Sequence, residues 1–281
     1  MAVVEMFDRI SSALICPPAG NLAAAAALGV PDAGRAGSQH WKYVEALRQC
    51  GADVVTVTAA EGLPQACLIG NAAVMADHLA VIGNFSDNSP RQGEQRGIAA
   101  ALAGEKFLKF VTAPGLLDGD DVLRVDNHFY IGLSDRTNQE GAAQLAFFLT
   151  EFGYGVTMLE PPADAALRLN AAATSLGQNT LLVREELARH FAFLTFDKII
   201  VPRHARGAAA AVFANGAVLL PAGYAETAAD IRKTGRPVIE VNISEFEKIG
   251  GTLKNLSLRL PKTAAQAPVE LPRRENSAAA V

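Results

Sequence analysis

The sequence predicts an α/β fold in which short strands close into a propeller-like array. A unit of strand, tight turn, strand, helix and strand recurs about five times, at a spacing of roughly 35–45 residues. An open doubly wound sheet would alternate single strands and helices without the hairpins. Asn215-Gly216, set between the apolar runs AAVF and AVLLP, is the strongest hairpin signal, because both turn positions favour positive φ. The units are not separable domains, since each helix needs neighbours to cover its apolar face. One domain over 1–262 is therefore expected.

The elements follow in order. Ser12–Cys16 reads as a strand. Ser38 is a candidate cap for the helix HWKYVEALRQC, which Gly51 ends before the strand VVTVT. The second unit has CLIGNAAVM, a turn at Asp77-His78, LAVI, a helix near Arg91–Ala103 and KFLKFVT. The third has VLRV, a turn at Asp126-Asn127, FYIGL, a helix over Asn138–Phe152 and GVTMLE. The fourth has SLGQNTLLV, a helix near Arg184–Phe193 and DKIIVP; the fifth adds a helix over Glu226–Lys233 and the strand PVIEVN. From Thr263 a Pro/Ala/polar tail without periodicity, 263–281, is expected to be disordered.

Composition narrows function by exclusion. Half of the 281 residues are hydrophobic and 19% are charged, as in an ordinary globular chain with ample core. A net charge of −4 provides no basic field for nucleic acid. No apolar run approaches the roughly 18–20 residues of a membrane span. The acidic start MAVVEMFDRI is unlike a secretory leader, so a reducing, cytoplasmic setting is expected. The three cysteines show no CxxC spacing and no histidines stand at i, i+4, so neither a metal nor another cofactor is expected. Neither GxGxxG nor GxxxxGK[ST] occurs.

Two motifs carry a resemblance. LDGDDVLR at 117–124 and GLSDRTNQEGA at 132–142 are similar to segments of the dimethylarginine dimethylaminohydrolases, which belong to the guanidino-modifying pentein (amidinotransferase-like) superfamily. The second segment fits the family pattern GLSxRTNxxGA at every specified position. LPQ at 63–65, TLLV at 180–183, PAGY at 221–224 and LSLRL at 256–260 extend the resemblance over Ser11 to Leu260. It implies five ββαβ units around a pseudo-fivefold axis, with the site in the central channel. It also implies hydrolysis of a methylated guanidinium by a Cys nucleophile and a His base, with acids for the guanidinium and two Arg for the carboxylate. A polarisable thiolate and a base titrating near neutrality suit that chemistry.

The family columns hold other residues here. GTLKNLSLRL puts Asn255 where a GGLTCLSLRL-like pattern has its Cys, and LRLNA puts Arg168 where LHLKS has its His. LIGNAAVM puts Gly70 and Asn71 in place of the acidic pair of FVEDTAVV, and Asn84 stands in the first Arg column. Asp118, in the column that orients the His, and Arg136, in the second Arg column, remain. Asn is no thiolate, and Arg stays protonated near neutrality. With acids lost and an Arg gained, a channel built for a cation is expected to become neutral or positive.

The leading expectation is thus a family member inactive as a guanidine hydrolase. It would bind a neutral or anionic, amino-acid-like small molecule, or a protein partner, through Asp118, Arg136, Arg168, Asn71, Asn84 and Asn255. An enzyme rewired for non-Cys chemistry through Arg168, Asp118 and Asn255 stands as the alternative. Pairing with an active relative, or homodimerisation, is a third reading. Cys67, read as a strand residue, and Cys16 and Cys50 are expected to pack in the core. His40, His78, His128 and His190 are expected at the surface. His204 with Arg203 and Arg206 reads as a solvated basic loop or an anion site. Asp118, Asp120 and Asp121 need no metal.

Overall fold

A computed structural model describes residues 9–58, 62–160 and 168–261. The tail expected over 263–281 lies outside the described residues. Among the described residues, fifteen strands form five sheets of three. In chain order they are β1 (Ile10–Ile15), β2 (Asp53–Thr56), β3 (Ala73–Met75), β4 (Leu79–Ile82), β5 (Phe107–Phe110), β6 (Val122–Val125), β7 (His128–Gly132) and β8 (Gly155–Leu159). Then come β9 (Ala173–Ser175), β10 (Thr180–Arg184), β11 (Asp197–Val201), β12 (Val212–Ala214), β13 (Ala217–Pro221), β14 (Val238–Val241) and β15 (Leu258–Pro261). The helices are α1 (Ala33–Gln49), α2 (Glu94–Leu102), α3 (Gln139–Glu151), α4 (Leu169–Ala172), α5 (Ala225–Lys233) and α6 (Ser244–Glu247).

Each sheet repeats one plan, as the sequence predicts. A middle strand pairs antiparallel with an inner strand and parallel with an outer one, giving β3-β4-β5, β6-β7-β8, β9-β10-β11 and β12-β13-β14. The fifth sheet is β15-β1-β2, so the last strand supplies the inner edge of the first unit, with Leu14 opposite Leu258. The hairpins form where turn chemistry places them: Asn215 and Gly216 have φ of 51° and 90°, and Asp126 has φ of 52°. Asn215 also ties the fold across its ends, its Nδ2 donating to the Ile10 and Cys50 carbonyls at 3.1 and 2.8 Å.

Helix α3 starts as predicted, with Asn138 accepting from the Gly141 N–H at 2.9 Å. Two expectations are corrected. Helix α1 begins a turn and a half before Ser38: Asp32 caps it by accepting from the Arg35 N–H at 2.8 Å, while Ser38 bonds back to the Gly34 carbonyl inside the helix. No α-helix forms near Arg184–Phe193. The chain there makes successive i→i+3 turns, and the His190 ring accepts from the Ala192 N–H to open a new 3-10 turn, Phe191–Phe193. That turn drives Phe193 into the core against Tyr130, with ring centroids 5.1 Å apart.

The apolar side chains form clusters between adjacent sheets and their helices, as in the packing of Tyr43 and Leu47 of α1 with Phe246 and Leu256. His40 belongs to this buried layer and not to the surface: its place on the inner face of α1 leaves it only 5% exposed. His78, His128 and His190 are half-buried, and His128 lies on a strand. Cys67 is buried, but in the turn before Ile69–Asn71 rather than on a strand. Among the described residues no helix is long and apolar enough to cross a membrane.

Candidate functional site

Four polar residues precede four inner strands: Asn71 before β3, Asp118 before β6, Arg168 before β9 and Asn255 before β15. The repeat therefore delivers them to one place. Asp118 caps the 3-10 turn Gly119–Asp121, its Oδ1 accepting from the Asp120 N–H at 2.9 Å. Its own N–H donates to Thr137 Oγ1 at 3.1 Å, which locks it to the GLSDRTNQEGA segment. Asp118 Oδ2 then faces three donors: Asn71 Nδ2 at 3.4 Å, and Arg136 Nη1 and Arg168 Nη1 at 3.5 Å each.

Asn255 is held on both sides. Its Oδ1 accepts from the Thr252 N–H at 2.7 Å and from the Thr252 hydroxyl at 2.6 Å, within a capping box. Its Nδ2 donates to Asn71 Oδ1 at 2.7 Å and to Asp120 Oδ1 at 3.0 Å. Asn71, Asp118, Asp120 and Asn255 are all at most 3% exposed, so they satisfy one another in a closed network. Arg168 and Arg136 form its boundary with solvent, with side chains 21% and 48% exposed. Arg168 Nη1 is buried and has no hydrogen-bond partner, although it lies within ion-pair distance of Asp118. Asn84 is not part of this group: its amide donates to the Gly115 carbonyl at 2.7 Å and fastens the loop before Asp118.

Four features escaped the sequence reading. Asp120, set aside there with any metal, is a full member of the network; burial and the neighbouring Asp118 push its carboxyl up, against Arg168 and Asn255. Burial also pushes Asp121 up to about 6, opposed by the Ser134 and Thr137 hydroxyls that donate to it at 2.6 and 2.8 Å. Arg91 and Glu94 form a buried bidentate ion pair, with Arg91 Nε 3.1 and 3.0 Å from the two carboxylate oxygens and its guanidinium over the Phe85 ring. Lys254, next to Asn255, points its amine at neutral acceptors, Asn170 Oδ1 at 2.9 Å and the Ala173 carbonyl at 2.7 Å. Burial and the Arg259 guanidinium hold that amine well below the ordinary lysine range, against Asp120. Only the Asp-x-Asp-Asp run and the turn residues around Asn255 hinted at these, because such pairs depend on which segments meet.

Gly70 has a packing reason. A Cβ built there would sit 2.8 Å from the Lys254 carbonyl and 3.0 Å from Asn255 Cα, so these two backbones touch and leave no room for an acidic side chain. The cysteines and histidines lie elsewhere. Cys16, Cys50 and Cys67 are buried thiols, and burial pushes that of Cys67 up to about 12, the inert end of thiol chemistry. His204, Arg203 and Arg206 form an exposed 3-10 turn, the geometry of a solvated loop. The hydrogen bonds and ion pairs of the cluster join carboxylates, carboxamides, hydroxyls and guanidiniums, and none includes a Cys or His.

Comparison with known proteins places this geometry. No protein-family model matches the chain. It is 32% identical over 236 residues to the dimethylarginine dimethylaminohydrolase of Pseudomonas aeruginosa, covering 83% of this chain and 91% of that one. A solved structure of a mutant of the Pseudomonas aeruginosa enzyme complexed with citrulline superposes with a TM-score of 0.83 and 30% identity, over 90% of this chain and 100% of that one. The N-terminal domain of ArgZ, a cyanobacterial arginine dihydrolase bound to its product, shares the fold with a TM-score of 0.77 at 21% identity, over 90% and 97% of the two chains.

Proposed function

The chain belongs to the dimethylarginine dimethylaminohydrolase family, and from that premise we propose that it binds a small amino-acid-like carboxylate without hydrolysing methylated arginine. One observation carries the reading. Two guanidiniums, Arg136 and Arg168, converge on the single oxygen Asp118 Oδ2, and Arg168 Nη1 still lacks a hydrogen-bond partner. A ligand carboxylate accepting from both would add an acceptor to those that Asp118 and Asp120 supply. The relatives act on arginine derivatives, whose α-carboxylate is the kind of group this pair could receive. Hydrolysis has no support from the residues: the centre of the cluster holds the Asn255 carboxamide, both ends of which are bonded, and the three cysteines are buried and take no part in the cluster's hydrogen bonds.

The test is a thermal-shift panel of α-amino and α-keto acids, citrulline included. A ligand at about 100 times its Kd adds about 2.7 kcal/mol, or roughly 5 °C in Tm for a chain of this size. Arg136→Ala should remove that shift while the unliganded chain still folds, because Arg136 is half exposed. A Tm unmoved across the panel would refute the binding, and citrulline formed from dimethylarginine would refute the loss of hydrolysis.

A second reading, an enzyme using non-cysteine chemistry, draws on Asp121 and Lys254. Both are pushed toward the range where acid–base catalysts operate. Turnover of an amino-acid-derived substrate that Asp121→Asn abolishes would favour it over simple binding.

A further inference from the structure

The inner strands β3, β6, β9, β12 and β15 surround a cavity of about 190 Å³, lined also by Gly70, Gly119, Asn170 and Lys254. It follows the strands away from the Asp118 cluster, and neither Asp118 nor Arg136 nor Arg168 lines it. Its charge is one-sided: Lys254, Arg259, Arg124 and Arg9 line it against one carboxylate residue, Asp126. The repeat produces this, because β6 and β15 each carry an Arg (Arg124, Arg259) on their channel-lining stretch.

Two of the cations there, Arg259 and Lys254, are held by neutral groups. Arg259 Nη1 donates to the Lys254 and Ser257 carbonyls at 3.1 and 3.3 Å and to Ser257 Oγ at 3.1 Å. Lys254 Nζ meets Asn170 Oδ1 and the Ala173 carbonyl. Among the described residues neither forms an ion pair. Arg124 pairs with Asp77 through Nη2 at 2.8 Å, yet its Nη1 is buried without a partner. Cationic side chains that outnumber the carboxylates around a cavity, two of them bonded only to neutral groups, are the makings of an oxyanion site. Burial first, and then the Arg259 guanidinium, disfavour the charged amine of Lys254, and an arriving anion would offset the repulsion between the two cations.

We propose that this cavity binds a small oxyanion of the phosphate class, held by Lys254, Arg259 and Arg124. It is separate from the carboxylate site above, with Lys254 and Asn255 as adjacent residues in the wall between them.

The experiment is calorimetric titration of the full chain with inorganic phosphate, against chloride at equal ionic strength. One phosphate per chain is expected. Arg259→Gln should weaken it at least about tenfold, the loss of a charge-assisted hydrogen bond. Arg232→Gln, which removes a positive charge from the exposed Arg232–Glu240 pair, should leave it unchanged. Crystals of the native chain soaked in selenate should show an anomalous peak between Lys254 and Arg259, a readout that stands even if Arg259→Gln fails to fold. No phosphate-specific heat in the native chain would overturn the proposal. So would an anomalous peak at Arg136 and Arg168 instead, or phosphate binding lost in Arg136→Gln but kept in Arg259→Gln.

Discussion

His40 and Asp121 should imprint opposite pH dependences on stability, and the sizes can be worked from their surroundings. His40 is 5% exposed with Nε2 unpartnered, and burial lowers its pKa from 6.5 to about 4. Between these values the unfolded chain binds a proton that the folded chain refuses. Stability from His40 is therefore present above pH 6.5 and lost as the pH falls toward 4, by about 3 kcal/mol. Asp121 is 1% exposed, with Oδ1 buried and unpartnered, and its pKa rises from 3.8 to about 6. Here the folded chain keeps a proton that the unfolded chain has released. Its contribution is highest below pH 3.8 and is lost as the pH rises to 6, again by about 3 kcal/mol.

Other buried acids also titrate, so the clean quantity is the difference between each variant and the native chain. His40→Met should gain relative stability on going from pH 6.5 to 4. Asp121→Asn should gain it on going from pH 4 to 6, on top of whatever constant offset the substitution brings. Urea unfolding at half-unit steps from pH 4 to 7 measures both, with m-values checked for constancy. The residues lie in different parts of the core, so the double variant should show the sum of the two curves. Difference curves flat within about 0.5 kcal/mol, or both sloping the same way, would show that burial does not control these groups.

Two further perturbations test the packing beneath the site. Arg91→Met strands the Glu94 carboxylate, and should cost about 3–5 kcal/mol in denaturant unfolding; Arg91→Met with Glu94→Leu should recover most of that loss. Gly70→Ala should cost roughly 1–3 kcal/mol, because its Cβ meets the Lys254 carbonyl and cannot be accommodated by a rotamer change; a neutral effect would mean the two backbones separate easily.

Most of the architecture was legible in local chemistry. Turn residues with a reason for positive φ, Asn215-Gly216 and Asp126, mark hairpins at the predicted places, and Asn138 marks the start of α3. Local signals failed where a distant segment overrode them. Arg184–Phe193 has helix-forming residues, but burying Phe193 beside Tyr130 and capping by the His190 ring favour short turns. Ser38 has a capping side chain, but Asp32 lies earlier and bonds first.

For the site, Asn71, Asp118, Arg136, Arg168 and Asn255 were singled out by their places in the segments that resemble the dimethylarginine dimethylaminohydrolases, and the structure brings them together. The Asn84 amide instead serves a loop, and the roles of Asp120, Lys254 and the Arg91–Glu94 pair in the packing were not read along the chain. Residue types and repeat spacing are local properties, so periodicity was sufficient for the five-unit plan. Which donors meet which acceptors depends on backbones brought together from far along the chain, 184 positions apart for Asn71 and Asn255. Burial then sets the charge those groups can carry, and burial exists only once the chain has folded.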